Sequence, residues 1–321
     1  MPVAAVLAFC GRHGTRLMAA GLFLGLATQP LAHLLRPALP MLVFLLTIGT
    51  MVRIDWPAVA AHARRPGRLA LVALWILILS PAAMTVVAHA LGLPEGLAQS
   101  MVIWAASPPM LSAAAVAYLL GLDAPLALVG TVPAMLLTPF TLPPLALGLL
   151  GLPLAIGIVP FMGRLALFVG GAAVVALALR RLLGKERVAR RGTEINGANV
   201  LILIAFAVAI MDGVPGIVLA RPADMAGYAI AALGASLGFT LLSAFAFSGL
   251  GRSAAGTIGL IGGNRNMAMV WAALGAAAPP EMTLFLVAVQ LPIYIGPLLT
   301  RPLYRRFGAI QPAPLGTAGA R

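Results

Sequence analysis

Gly262-Gly263-Asn264-Arg265-Asn266 is the stretch on which the fold turns. It lies inside an apolar segment, about Ser253 to Ala278, long enough to cross a bilayer. Adjacent glycines loosen a helix, and two amides and a guanidinium then fall at mid-membrane depth. Open backbone and charge are too costly to face lipid, so these groups must face protein or a water-filled cavity. A second interruption, Ser107-Pro108-Pro109, lies in an apolar segment of the first half. Two broken membrane helices, one in each half of a chain, are the sequence mark of a secondary transporter built from inverted repeats.

The rest of the composition agrees. The 321 residues are 61% hydrophobic and 9% charged, with a mean hydropathy of +1.04, which no soluble domain of this length carries. The expected fold class is therefore an all-α polytopic membrane protein. The net charge of +13 does not indicate a nucleic-acid partner, because the basic residues sit in short loops between apolar spans. The one cysteine, Cys10, excludes an internal disulfide and a multi-cysteine metal site. His13, His33, His62 and His89 have no metal-ligand spacing, so no metal and no cofactor is expected. No phosphate-binding glycine loop is present, and Glu95, Asp123 and Glu281 read as loop residues rather than a catalytic set, so an enzyme is not expected. Apolar Met1 to Cys10 precedes Arg12 and Arg16, the wrong order for a cleaved signal peptide.

Ten spans are expected, at about 17–35, 38–54, 68–92, 96–121, 124–150, 153–181, 197–218, 224–249, 253–278 and 281–303. Arg36-Pro37, Asp55-Trp56-Pro57, Gly92-Leu93-Pro94, Gly151-Leu152-Pro153, Pro222 and Pro279-Pro280 separate them. Span six, with Pro160 and Arg164, is expected to start as an interfacial helix. With the N-terminus inside, the cytoplasmic side holds Arg12, Arg16, Arg53, Arg64, Arg65, Arg68, Arg180, Arg181, Lys185, Arg187, Arg190, Arg191, Arg252, Arg301, Arg305, Arg306 and Arg321. The other side holds only Arg36 and Arg221, which places both termini in the cytoplasm. The expected divisions are an N-terminal five-helix repeat over 1–184, a basic cytoplasmic linker over 185–195, a second repeat over 196–306 and a tail over 307–321. An odd number of spans per half makes the repeats inverted, and the interrupted spans four and nine then occupy equivalent positions.

On these residues the chain resembles the bile acid:sodium symporter family over nearly its whole length. Ile48-Gly49-Thr50-Met51, Arg65-Pro66 and Ser80-Pro81 look like the family's second and third helices. Ser107-Pro108-Pro109-Met110-Leu111-Ser112, Tyr118-Leu119 and Asp123 look like its fourth, where members usually carry Cys-Pro-Gly-Gly-Thr-Ala-Ser-Asn. Thr131 and Thr138-Pro139 look like its fifth helix, and Gly263-Asn264-Arg265-Asn266 falls on its Gly-x-Gln-Asn motif. The resemblance implies that helices four and nine cross near the bilayer centre. It also implies a core of helices three to five and eight to ten moving against a panel of helices one, two, six and seven, with sodium at the crossing and substrate between core and panel.

The departures fall on the implied sodium ligands. A family glutamate is Ile261 here, a glutamine is Arg265, a Ser-Asn pair is Ala113-Ala114, a helix-five serine is Ala127 and a helix-three glutamine is Ile76. Thr131 keeps its hydroxyl and Asn266 its amide. The carboxylate is gone and a fixed cation has appeared, since arginine stays protonated even when poorly solvated. Arg265 is expected either to draw an anionic substrate as a tethered cation or to donate to the C-terminal carbonyls of the broken half-helices. Asn264 and Asn266 line the cavity with it or cap the half-helices. Ser112 and Thr131 either join the site or bond back to their own helices. Ser107, Pro108, Pro109, Gly262 and Gly263 form the crossing. Asp212 reads as a turn residue, with proton coupling as the alternative, Arg164 as a snorkelling side chain, and Gln290 and Tyr294 as weak polar points in span ten.

The expected function is secondary transport of a small organic anion, an amphipathic carboxylate or sulfonate, in a bacterial inner membrane. The usual two sodium sites are not expected to operate. An ion-uncoupled facilitator and a non-transporting receptor or assembly factor on the same scaffold are the alternatives. The arsenite branch of the wider superfamily usually has a cysteine in the fourth helix, which is missing here.

Overall fold

The computed structural model describes residues 3–54, Trp56, Val59, residues 66–293 and Tyr304. The expectations on Asp55, Pro57, His62, Arg64, Arg65, Tyr294, Arg301, Arg305, Arg306, Arg321 and the 307–321 tail fall outside the described residues. Within them the chain is all helical, without a strand. Six helical runs are long and apolar enough to cross a bilayer: Gln29–Met51, Gly67–Ala90, Ala124–Leu149, Ile158–Leu183, Gly192–Ala209 and Pro222–Ala246. Large apolar side chains such as Phe23, Val86, Leu167 and Phe245 stand exposed on the outer faces. In water that surface would drive aggregation; in hydrocarbon it is solvated, and the molecule is built as an integral membrane protein.

The N-terminal end holds α1 (Val3–Arg12), α2 (Gly14–Ala27), α3 (Gln29–Leu35) and α4 (Leu39–Met51). All four pack on α12 (Gly192–Ala209), and α4 also packs on α10 (Ile158–Leu183). Small residues make this possible, because lipid offers helices no hydrophobic reason to associate and close backbone packing must do it. A Cβ on Gly197 would collide with the Leu7 carbonyl, and one on Gly25 would lie 2.8 Å from Val208 Cα. Gly21 abuts Ile204 and Gly25 abuts Val208, so α2 runs alongside α12 in the same direction, whereas Leu7 against Gly197 and Gly11 against Thr193 set α1 the opposite way. Gly49 abuts Asn199 and Arg53 donates to Asn196 Oδ1 at 3.3 Å, so α4 runs the other way.

The second group of helices is α5 (Pro66–Leu74), α6 (Ser80–Ala90), α7 (Glu95–Ala106), α8 (Ala113–Leu119) and α9 (Ala124–Pro143), joined by α14 (Pro222–Ala246), α15 (Arg252–Gly263), α16 (Met267–Leu274) and α17 (Pro280–Ala288). A π-helical turn, Trp75–Leu79, links α5 to α6. Within this group α14 packs on α15, α9 on α15 and α8, α6 on α7, and α17 on both α7 and α14.

Several boundaries differ from those expected. Helix begins at Val3 rather than near residue 17, and Cys10 is buried, because this segment has α12 to pack on. The expected linker 185–195 is helical: α11 (Lys185–Arg190) follows a break at Gly184, whose φ of +79° suits glycine, and α12 starts at Gly192. Span six is one continuous helix, α10, from Ile158, with Pro160 in its first turn, where the missing N–H costs nothing. Span seven stops at Ala209 and restarts as α13 (Val214–Ala220). Glu95 and Glu281 are not loop residues but stand in the first turns of α7 and α17, while Asp123, outside the helix, caps α9 by accepting from Leu126 N at 2.9 Å; each carboxylate meets the positive end of a helix dipole.

Candidate functional site

The two interruptions meet. The chain between α7 and α8 and the chain between α15 and α16 lie antiparallel, with Pro109 opposite Arg265. Met110 N donates to Asn264 O at 3.0 Å and Asn266 N to Pro108 O at 2.7 Å. Each break therefore satisfies backbone groups that the other leaves open, which makes unwound chain tolerable in the protein interior.

The remaining carbonyls are accounted for one by one. Asn266 N is the normal α-helical donor for Gly262 O but is engaged by Pro108, so Arg265 Nε takes Gly262 O at 2.8 Å. Asn264 Nδ2 donates back to Leu260 O at 2.9 Å, and Ser236 Oγ donates to Gly263 O at 2.7 Å. Arg265 Nη1 donates to Ser107 O at the end of α7, at 3.2 Å. It also donates to Ile76 O at 3.2 Å. That carbonyl is free for a reason written in the sequence. In the π-helical turn Ser80 N bonds to Trp75 O, which shifts the next donor for Ile76 O to residue 81, and Pro81 has no N–H. Arg265 Nη2 completes the set on Ser80 Oγ at 2.9 Å.

Arg265 is 1% exposed, and four of its hydrogen bonds tie α15, α7 and the α5–α6 junction together. Among the described residues no carboxylate pairs with it; the negative ends of α7 and α15 and their carbonyls hold the charge instead. Of its five N–H groups one on Nη2 has no assigned acceptor. Residues 264–266 are extended, so side chains alternate: Arg265 turns inward while Asn264 and Asn266 stand partly exposed on the other face. Met110 and Leu111 are partly exposed and Ser112 is exposed. Ser112 and Asn266 begin α8 and α16 without any side-chain capping bond, so of the two amides only Asn264 serves as a cap. Gly262 and Gly263 do not form the break but end α15, where a Cβ on either would collide with Ser243 or with Thr240 and the Ser236 carbonyl of α14.

Ile76, Ala113, Ala127 and Ile261 come together in one buried apolar cluster, and Ala114 packs against it. Ile261 fills space opened by glycine: a Cβ on Gly130 would lie 2.8 Å from Ile261 Cδ1. Thr131 is 2% exposed on the same stripe of α9 as Ala127 and Ala134. Contrary to the expected back-bond, its Oγ1 has no hydrogen-bond partner. Ser80 and Ser236 went unrecognised in the sequence; Ser80-Pro81 was the signal, since a proline there orphans a carbonyl upstream.

Other expected residues lie elsewhere. Arg164 does not simply snorkel: Nη1 donates to Leu274 O at the end of α16, at 3.0 Å. Gln290 Nε2 bonds back to Leu286 O. Asp212, in the turn after α12, accepts from Arg36 Nη1 at 2.8 Å, with His33 Nδ1 at 3.4 Å, far along the chain from the crossing. Burial pushes its carboxyl up, but the hydrogen bonds and charges of Arg36 and His33 outweigh that and hold it below its ordinary value of 3.8. Among the described residues no three His, Cys, Asp or Glu side chains gather as a metal site. No protein-family model and no curated protein matches the chain.

Proposed function

We infer that this protein is a secondary transporter of a small organic anion that works by alternating access without the two-sodium coupling of the family it resembles. The observation that carries the reading is the paired contact of two broken helices at Pro109 and Arg265, one from each half of the chain. Unwound backbone at membrane depth is where transporters of this design bind. In this reading ten spans form two inverted five-helix repeats. Helices α1–α4, α10 and α12 are the panel, and α5–α9 with α14–α17 are the core; the packing of α1–α4 on α12 supports the panel, and α10 and α4 meet the core at α9 and α16. The distribution of basic residues supports a bacterial inner membrane with both termini in the cytoplasm.

Arg265 is the tethered cation of the crossing. Four of its five donors are engaged by Gly262, Ser107, Ile76 and Ser80, so it acts chiefly through its field and by holding the broken helices, while Asn264, Asn266 and Ser112 offer hydrogen bonds to the substrate. The clustering of Ile76, Ala113, Ala127 and Ile261 supports the absence of sodium coupling, because sodium needs hard oxygen ligands and these side chains have none. The test is uptake of labelled carboxylates and sulfonates by purified protein in liposomes, with sodium and proton gradients imposed separately. Uptake that persists without sodium is expected; uptake abolished by sodium removal alone refutes the reading.

A further inference from the structure

Away from the crossing, an apolar groove of about 320 Å³ opens on the outer surface between the α5–α6 junction and the end of α14. Leu71, Leu74, Trp75, Leu79, Phe247 and Leu250 line it. Its shape is fixed by a bond rather than by packing alone: Trp75 Nε1 donates to Ser243 Oγ at 2.8 Å, and the indole stands edge-on to Phe247 with ring centroids 6.1 Å apart. Leu71 and Leu79 are 57% and 44% exposed, so the groove faces the surroundings of a chain whose outer surface is built for lipid.

One end of the groove is basic. Arg68 lies one helical turn before Leu71, and Arg252 follows Leu250 by two residues. Arg252 opens α15, whose N-cap Gly251 brings no side-chain oxygen to the first N–H groups. An apolar groove with two arginines and a helix N-terminus close in the chain to its lining residues Leu71 and Leu250 is complementary to one amphiphile. We propose that this groove binds an anionic phospholipid. An acyl chain lies along Leu71, Leu79 and Phe247, and the phosphate sits on Arg68, Arg252 and the first turn of α15. The opposite end of α15 carries Gly262 and leads into Arg265, so the phosphate seat and the crossing are two ends of one helix.

Bromine quenches a tryptophan that it touches, which makes Trp75 the reporter. Full-length protein is reconstituted in phosphatidylcholine vesicles containing increasing fractions of dibrominated phosphatidylglycerol or dibrominated phosphatidylcholine. Saturable quenching is expected at a roughly thirtyfold lower fraction of the anionic lipid, the preference that two arginines at a membrane surface supply. Trp75→Phe removes the saturable component. Arg68→Gln with Arg252→Gln removes the preference but leaves weak quenching by both lipids. Gly249→Leu fills the groove from a position where an added Cβ meets open space, and abolishes saturable quenching by either. Equal quenching by the two lipids, or a preference that survives the paired glutamines, overturns the proposal.

Discussion

Replacing Arg265 by methionine tests how the crossing is held. The substitution keeps length and bulk but removes every donor. Three buried carbonyls, Gly262 O, Ser107 O and Ile76 O, lose their partner, and so does the Ser80 hydroxyl. At about 2 kcal/mol for each stranded carbonyl the loss is about 6 kcal/mol. Releasing a cation from burial gives part of this back, which leaves a net destabilisation of about 3–5 kcal/mol. Lysine keeps the charge but has no fork and cannot span all three elements; it should cost about 2–3 kcal/mol. The assay is equilibrium unfolding of the purified protein in mixed micelles, with Ser80→Ala added to close a double-mutant cycle. A coupling of about 1.5–3 kcal/mol is expected between Arg265 and Ser80, as for a hydrogen bond to a charged group. Arg265→Met unfolding within about 1 kcal/mol of the parent would refute the account of the guanidinium as the tie between broken helices.

Three further outcomes follow from neighbouring features. Thr131→Val removes a buried hydroxyl that bonds nothing, so it should leave stability unchanged or raise it by about 1 kcal/mol, with uptake preserved; loss of uptake would mean that the hydroxyl contacts a transported species. Gly263→Ala forces α15 away from Thr240 and the Ser236 carbonyl and should destabilise by about 2 kcal/mol or more, read in the same unfolding assay. Asp212→Asn should cost about 1 kcal/mol at pH 7, a modest figure because Arg36 is 61% exposed. Its folded carboxyl is held below the ordinary 3.8, so the contribution is complete above that value and disappears as pH falls through the lower folded one. The difference in unfolding between parent and variant should therefore be constant from pH 7 to about 5 and shrink below about 4; a difference that persists at pH 3 contradicts the pairing.

The membrane class and the two breaks were legible because they break a strong pattern: Asn264, Arg265 and Asn266 stand out against an apolar background, as do Pro108 and Pro109. The partners of Arg265 were only half legible. That half-helix carbonyls would accept from it follows from the count of orphan groups at any break. That Ile76 O would be the third acceptor depends on a π-helical turn, and π geometry leaves no periodic trace in five apolar residues. The proline at 81 is its one written sign. The helical course of residues 185–195 was missed because a short basic segment resembles a loop, and that of residues 3–16 because an apolar stretch too short to span is not read as a helix until α12, on which it packs, is known. Glycine at 11, 25, 49 and 197 was the clue, but contact between distant glycines is a tertiary fact that spacing within one segment does not reveal.

The tie at Arg265 also sets an order for biosynthesis. Ile76 and Ser107 precede their donor by 189 and 158 residues. At a synthesis rate of about 5–20 residues per second, their carbonyls await the guanidinium for roughly ten to forty seconds after they are made. During that interval the first half of the protein sits at the membrane with open main-chain acceptors that hydrocarbon cannot satisfy. The nascent half must remain hydrated, or be shielded by the insertion machinery, until α15 and the Arg265 that follows it arrive. A ribosome stalled shortly before residue 265 would leave a chain with its helices made and its centre still unlocked.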